Sequence, residues 1–133
     1  MIDTTKIKED AIFLKHNGKN CSQAVLLALK DNLKLDENTL TIIGSGFGQG
    51  MGAMKANCGA LIGAVIAAGI LNDTNLATKF LAKDMLDSFN NMCGSIDCHT
   101  LKGIETKKVL CSCDDCIRNA IDILFLTLEK YKK

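Results

Sequence analysis

The chain has 133 residues, of which 47% are hydrophobic and 23% are charged, and its formal net charge is +1. This composition is typical of one globular domain that can bury a core of its own. A nearly neutral charge and an aromatic content of 5% give no basis for binding nucleic acid through phosphates or stacked bases. We therefore expect a single domain over residues 1–133 with no nucleic-acid partner.

Three features predict a cytoplasmic protein without a membrane span. Residues 1–10 lack the apolar segment of a secretory signal, and the seven cysteines are an odd number in a chain that can fold without disulfides. The uncharged run over residues 56–72 is at the short edge of a membrane span, and its glycine and alanine content favours a central core helix. We therefore expect thiols that are reduced or bound to metal.

The predicted elements are all helices, and the chain contains no proline to stop one early. In chain order they cover residues 5–16, 21–33, 37–43 after Asp36, 58–71 after Asn57, 76–92 after Asp73 or Thr74, one turn after Asp97 that stops at Gly103, and a last helix after Asp114 or Asp115. The sequence therefore predicts an all-α, single-domain bundle of about five to six helices.

Two of these helices have distinctive faces. The last one carries an apolar stripe that we interpret as core: Ile117, Ala120, Ile121, Leu124, Phe125, Leu128 and Tyr131. The helix over 58–71 has Gly59 and Gly63 four residues apart, beside several alanines. Small residues at this spacing let another helix approach closely. This helix is expected at the centre of the bundle or in the contact of a homodimer.

Four of the seven cysteines directly follow an Asn or an Asp: Cys21, Cys58, Cys98 and Cys116. Because Asn and Asp are favoured N-caps, each of these cysteines is predicted to lie in the first turn of a helix. There the unpaired N–H groups and the helix dipole favour the thiolate, which is both a nucleophile and a metal ligand. Four such thiolates suit zinc or an iron–sulfur cluster equally well.

The remaining cysteines leave other chemistry open. Cys113 and Cys116 form a Cys-x-x-Cys motif, which can act as a metal-free redox pair. Cysteine is also a small hydrophobic residue, and all of these thiols could simply fill the core. Cys93 and Cys111 follow no helix cap, so we expect them outside the centre, together with Cys113.

A glycine run precedes the central helix, with Gly at every second position from Gly44 to Gly52. It matches a dinucleotide-binding pattern loosely, but no second strand–helix unit follows to build the parallel sheet of such a fold. Glycine permits close approach of backbone to a ligand, and backbone N–H groups in such loops can bind anions. We therefore expect a cofactor-binding loop that lies against the thiols, formed by Gly46, Gly48, Gly50, Gly52 and Gly59.

Five motifs together resemble the C_GCAxxG_C_C family, a group of small proteins to which redox activity is ascribed. They are Asn20-Cys21-Ser-Gln-Ala-Val, Gly46-Phe-Gly48-Gln-Gly50-Met-Gly52, Cys58-Gly-Ala-Leu-Ile-Gly63-Ala, Cys98-His-Thr-Leu-Lys-Gly103 and Cys116-Ile-Arg-Asn-Ala. The resemblance covers about residues 5–130 and implies an all-helical domain. The family's four defining cysteines fall on Cys21, Cys58, Cys98 and Cys116. The family label has Gly-Cys-Ala where this chain has Cys58-Gly59-Ala60.

The resemblance also implies a cofactor. A similar domain occurs joined to cytochrome-type modules, where its four cysteines are thought to hold an iron–sulfur cluster. This chain has no Cys-x-x-Cys-His haem motif, because Ile117 follows Cys116. The resemblance thus implies a redox-active protein in which the four cysteines converge on one [2Fe–2S] cluster.

Such a cluster would serve electron transfer or redox sensing with a separate redox partner protein. The alternatives are a structural zinc ion, a metal-free dithiol/disulfide relay, and a helical interaction module with core cysteines. The sequence does not decide whether the chain is an enzyme.

Overall fold

The computed structural model describes residues 2–132, and its regular elements are helical. They are α1 (Thr5–His16), α2 (Cys21–Ala28), α3 (Lys30–Leu33), α4 (Glu37–Gly44), a wide irregular turn (Gly50–Met54), α5 (Gly59–Leu71), α6 (Thr78–Cys93), α7 (Cys98–Leu101) and α8 (Cys113–Lys130). Over the described residues, the only strand-like pairing is an isolated antiparallel bridge between Asn57 and Asp97. The all-α prediction is confirmed.

Helix α5 lies at the centre of the bundle and packs against α2, α6 and α8. Its small residues face inward, and Ala60, Ala64 and Ala67 are fully buried. A Cβ atom at Gly63 would lie 3.1 Å from the Ser22 carbonyl oxygen of α2, so this glycine lets the two backbones approach closely. The small-residue face of α5 is therefore packed inside the chain, as expected for a helix at the centre of the bundle, and a homodimer stays a prediction.

The other long helices enclose α5 with apolar stripes. In α8, four residues of the predicted stripe are fully buried: Ile117, Ala120, Ile121 and Leu124. In α6 the buried residues recur every fourth position, at Leu81, Met85, Phe89 and Cys93. Burial of one such face on each helix supplies the main driving force for folding.

Two predicted helix boundaries are wrong. The helix expected over residues 21–33 is divided at Leu29, whose backbone (φ −96°, ψ 6°) departs from helical geometry, so that α2 ends at Ala28. Helix α6 begins at Thr78 after Ala77, without the expected cap by Asp73 or Thr74. The Thr74 side chain instead donates a hydrogen bond to Asn72 Oδ1 at 2.6 Å, because these polar residues close a turn before the helix.

Within the part of the chain that the structure describes, no helix combines the length and the apolar character needed to cross a membrane.

A pair of matched substitutions tests the close packing of α2 on α5. Gly63→Leu places a side chain against the α2 backbone and should lower the free energy of unfolding by about 1–3 kcal/mol. Gly69→Leu is the control, because Gly69 is exposed and a Cβ there would have its nearest neighbour at 3.8 Å. The control should be neutral or raise stability by up to about 1 kcal/mol through helix propensity. Urea denaturation measures both, and equal effects at the two positions would contradict the packing argument.

Candidate functional site

Five cysteines line one cavity of about 110 Å³ at the amino-terminal ends of several helices. They are the four predicted ones, Cys21, Cys58, Cys98 and Cys116, together with Cys113. The remaining lining residues are Lys15, Gln49, Met54, Gly59 and Lys102. One water molecule needs a cavity of only about 10–15 Å³, so this cavity has room for a group larger than a water molecule.

Cys21 and Cys98 stand where the capping rule predicts them, at the first residue of a helix. Asn20 caps α2 by accepting a hydrogen bond from the Gln23 N–H at 2.8 Å, and the Gln23 side chain accepts one from the Asn20 N–H at 3.0 Å. Asp97 caps α7 by accepting from the Thr100 N–H at 3.2 Å. These caps fix the helix starts and so orient both thiols.

The capping rule is wrong in detail for Cys58 and Cys116. Cys58 is itself the N-cap residue of α5, so Asn57 lies one residue before the cap. Helix α8 is capped by Ser112, whose hydroxyl oxygen accepts from the Asp115 N–H at 3.1 Å. The first helical residue of α8 is therefore Cys113, and Cys116 lies at the end of the first turn with its own N–H bonded to the Ser112 carbonyl at 2.8 Å.

The isolated bridge between Asn57 and Asp97 holds two of the cysteine-bearing segments together. The Cys58 N–H donates to the Ile96 carbonyl at 2.8 Å, and the Cys98 N–H donates to the Ala56 carbonyl at 3.1 Å. The starts of α5 and α7 are thus joined by backbone hydrogen bonds, which no sequence pattern indicated.

The expected cofactor-binding loop reaches the cysteines at only some of its glycines. A Cβ at Gly59 would lie 2.6 Å from Cys21 Sγ, and a Cβ at Gly50 would lie 2.8 Å from Cys98 Cβ, so both glycines allow backbone to contact a site cysteine. Gly48 packs against the Asn20 side chain that caps α2. Gly46 and Gly52 have open space where a side chain would be, so nothing at these two positions requires glycine for packing.

Cys58 and Cys116 lie beside each other, and their interaction shifts their pKa values in opposite directions. Hydrogen bonding from Cys116 is the main cause that lowers the pKa of the Cys58 thiol to about 6. The backbone N–H groups of Leu61 and Ala60 lower this pKa further, although the Cys58 side chain makes no capping hydrogen bond to α5. The same interaction with Cys58, together with burial, raises the pKa of Cys116. Cys58 is the better thiolate of the pair because it faces the unpaired N–H groups at the start of α5.

The half-buried Lys102 places a positive charge beside the cavity thiols. Burial disfavours the Lys102 ammonium, but its hydrogen bond to Cys113 and the nearby Cys116 and Cys58 sulfurs outweigh this and raise the pKa of Lys102 to about 12. Burial raises the pKa of Cys21, against a hydrogen bond from Gln49, and raises the pKa of Cys98, against the charge of Lys102. Without a bound cation, these surroundings favour the thiolate at Cys58 and the thiol at Cys21, Cys98 and Cys116.

A second group of thiols adjoins the cavity and was not predicted. The Sγ atoms of Cys93, Cys111 and Cys116 all lie within 4.8 Å of one another, and all three residues are buried. Cys93 and Cys111 do not line the cavity, whereas Cys113, expected outside the centre, does. The four-residue repeat of buried residues in α6, which ends at Cys93, was the one sequence signal that could have placed Cys93 in the interior.

Cys113 and Cys116, the predicted redox pair, face the same cavity but have different partners. The Cys113 sulfur lies beside the Lys102 ammonium and helps to raise the pKa of that lysine. The Cys116 thiol lies beside Cys58 and 3.7 Å from the Cys111 carbonyl oxygen. A disulfide between Cys113 and Cys116 therefore stays a prediction.

The C_GCAxxG_C_C family model, described as "putative redox-active protein", matches residues 19–125. The chain belongs to this family. No curated protein and no solved structure has a significant match to the chain. The matched region contains all seven cysteines of the chain.

The effect of Cys116 on the pKa of Cys58 can be tested in the reduced, metal-free protein. The ultraviolet thiolate absorbance should show one thiol that ionises near pH 6, at which Cys58 becomes charged. Cys116→Ala should move this step toward the ordinary thiol pKa of about 8.5, because the hydrogen-bond donor is lost. Cys113→Ala is the matched control and should leave the step in place. Ionisation of all seven thiols near or above the ordinary value would contradict the arrangement.

Proposed function

We propose that this chain is a redox protein in which Cys21, Cys58, Cys98 and Cys116 hold a [2Fe–2S] cluster for electron transfer or redox sensing. The observation that carries the proposal is the meeting of these four cysteines, from four separate helix starts, at one cavity. Membership of a family to which redox activity is ascribed supports the same chemistry.

The chemistry of the cavity fits such a cluster. Its cysteine sulfurs are the ligands that iron–sulfur clusters use, and neither histidine nor a carboxylate is among its lining residues. Lys15 and Lys102 also line the cavity and can offset part of the negative charge of four thiolates. When bound, the cluster would accept and release single electrons.

The protein residues would set the properties of this centre in three ways. The low pKa of Cys58 provides one thiolate before any metal arrives. Lys102 supplies positive charge and a hydrogen-bond donor beside the sulfurs, both of which tune reduction potentials. Gly50 and Gly59 let backbone lie against Cys98 and Cys21, which keeps side chains out of the space between the thiols.

Anaerobic reconstitution with ferrous iron and sulfide tests the proposal. The product should contain iron, labile sulfide and visible charge-transfer absorption. Replacing Cys21, Cys58, Cys98 or Cys116 by Ala should abolish or strongly reduce all three signals, since each replacement removes a ligand. Cys113→Ala and Cys93→Ala are matched controls that should retain the signals.

Colourless protein without iron after this treatment would contradict the cluster proposal. A zinc ion bound by the same four cysteines after anaerobic growth would replace it with a structural-metal function. Loss of the signals in Cys113→Ala with retention in one of the four proposed ligand variants would change the ligand set.

A metal-free dithiol relay is the second candidate, favoured by the low pKa of Cys58 beside Cys116. The Cys58 thiolate would attack a disulfide of the redox partner protein, forming a mixed disulfide and releasing one partner thiolate. Cys116, after losing its proton, would then attack the Cys58 sulfur, forming the Cys58–Cys116 disulfide and releasing the second partner thiolate. Diamide treatment of metal-free protein, followed by peptide mapping, should yield a Cys58–Cys116 disulfide if this function is correct. Recovery of both thiols in reduced form would exclude it.

A further inference from the structure

Cys93, Cys111 and Cys116 form a compact group that the family's four-cysteine pattern does not explain. Cys93 ends α6, Cys111 lies in the segment before α8, and Cys116 lies in the first turn of α8. The three Sγ atoms are within 4.8 Å of one another, and the three residues are only 4%, 8% and 1% exposed. Three separate elements thus deliver one sulfur each to the same buried point.

We propose that Cys93, Cys111 and Cys116 form a second metal site, which takes a soft, thiophilic cation such as Zn²⁺ or Cu⁺. Three thiolates bound to one ion at about 2.3 Å lie about 3.8–4.0 Å apart, so the observed group needs to contract by at most about 1 Å.

The surroundings of the three sulfurs select for a soft cation. The group contains no histidine and no carboxylate, and thiolate ligands prefer Zn²⁺ and Cu⁺ over hard cations. The Asn119 side-chain amide donates a hydrogen bond to Cys93 Sγ at 3.3 Å. An amide donor aimed at a sulfur stabilises the thiolate form, as the residues around metal ligands commonly do.

The second site does not depend on an iron–sulfur cluster, and its test separates the two proposals. The starting protein is the reduced, metal-free Cys21→Ala/Cys98→Ala variant, which lacks two of the four proposed cluster ligands but keeps the three sulfurs of the second site. Zn²⁺ is titrated against a chromogenic chelator, and Cu⁺ is titrated against a Cu⁺-specific chelator under anaerobic conditions. We expect one ion per chain in at least one of the two titrations.

Further substitutions in this variant identify the ligands. Adding Cys93→Ala or Cys111→Ala should weaken metal binding about 100-fold or more, because each substitution removes one of only three thiolate ligands. Adding Cys113→Ala is the matched control and should leave the affinity unchanged. Co²⁺ provides a second readout, since its thiolate charge-transfer absorption should fall with Cys93→Ala and persist with Cys113→Ala.

A variant that keeps every sulfur of the second site guards against effects of misfolding. Asn119→Ala should weaken binding about 10- to 100-fold, as loss of a residue that supports a metal ligand does. Exposed Asn90, near the same end of α6, provides Asn90→Ala as a control that should not change the affinity. The proposal is overturned if neither cation binds, or if binding survives both Cys93→Ala and Cys111→Ala.

Discussion

The start of helix α5 is the point on which the site depends. Cys58 caps the helix, and its N–H reaches the Ile96 carbonyl, which ties α5 to the segment before α7. The next residue is Gly59, where a Cβ would collide with Cys21 Sγ and with the Phe47 carbonyl oxygen. Two adjacent residues thus bring together α2, α5, the glycine run and the approach to α7. A side chain at residue 59 would separate the elements that carry Cys21 and Cys58.

Gathering thiols in a protein interior creates an electrostatic problem, because buried like charges repel and lose their hydration. Without a cation, the protein favours the thiolate at Cys58 and the thiol at Cys116, beside the half-buried ammonium of Lys102. A bound cation would offset the repulsion among several thiolates and displace their protons. The proposed metal centre would therefore relieve this repulsion, whereas the metal-free dithiol relay requires only the Cys58–Cys116 pair.

Cys116 belongs to both groups of thiols. It lines the cavity with Cys21, Cys58 and Cys98, and it lies within 4.8 Å of Cys93 and Cys111 on its other side. If both proposed sites exist, a terminal Cys116 thiolate can serve one of them at a time, so the two sites would compete for this sulfur. The first turn of α8 would then connect the two proposed sites.

The sequence by itself determined the helical class, the central position of the Gly/Ala-rich helix and the starts of α2 and α7. These follow from local physics, namely apolar periodicity, side-chain capping and small-residue spacing. It did not determine which residue caps α8, because Ser112, Asp114 and Asp115 are all good caps and only the packed helix selects Ser112. Nor could it reveal the bridge between Asn57 and Asp97 or the meeting of Cys93 with Cys111 and Cys116, since these join residues distant in the chain. Only the tertiary structure decides such contacts, because they depend on how α5, α6 and α8 pack around one shared core.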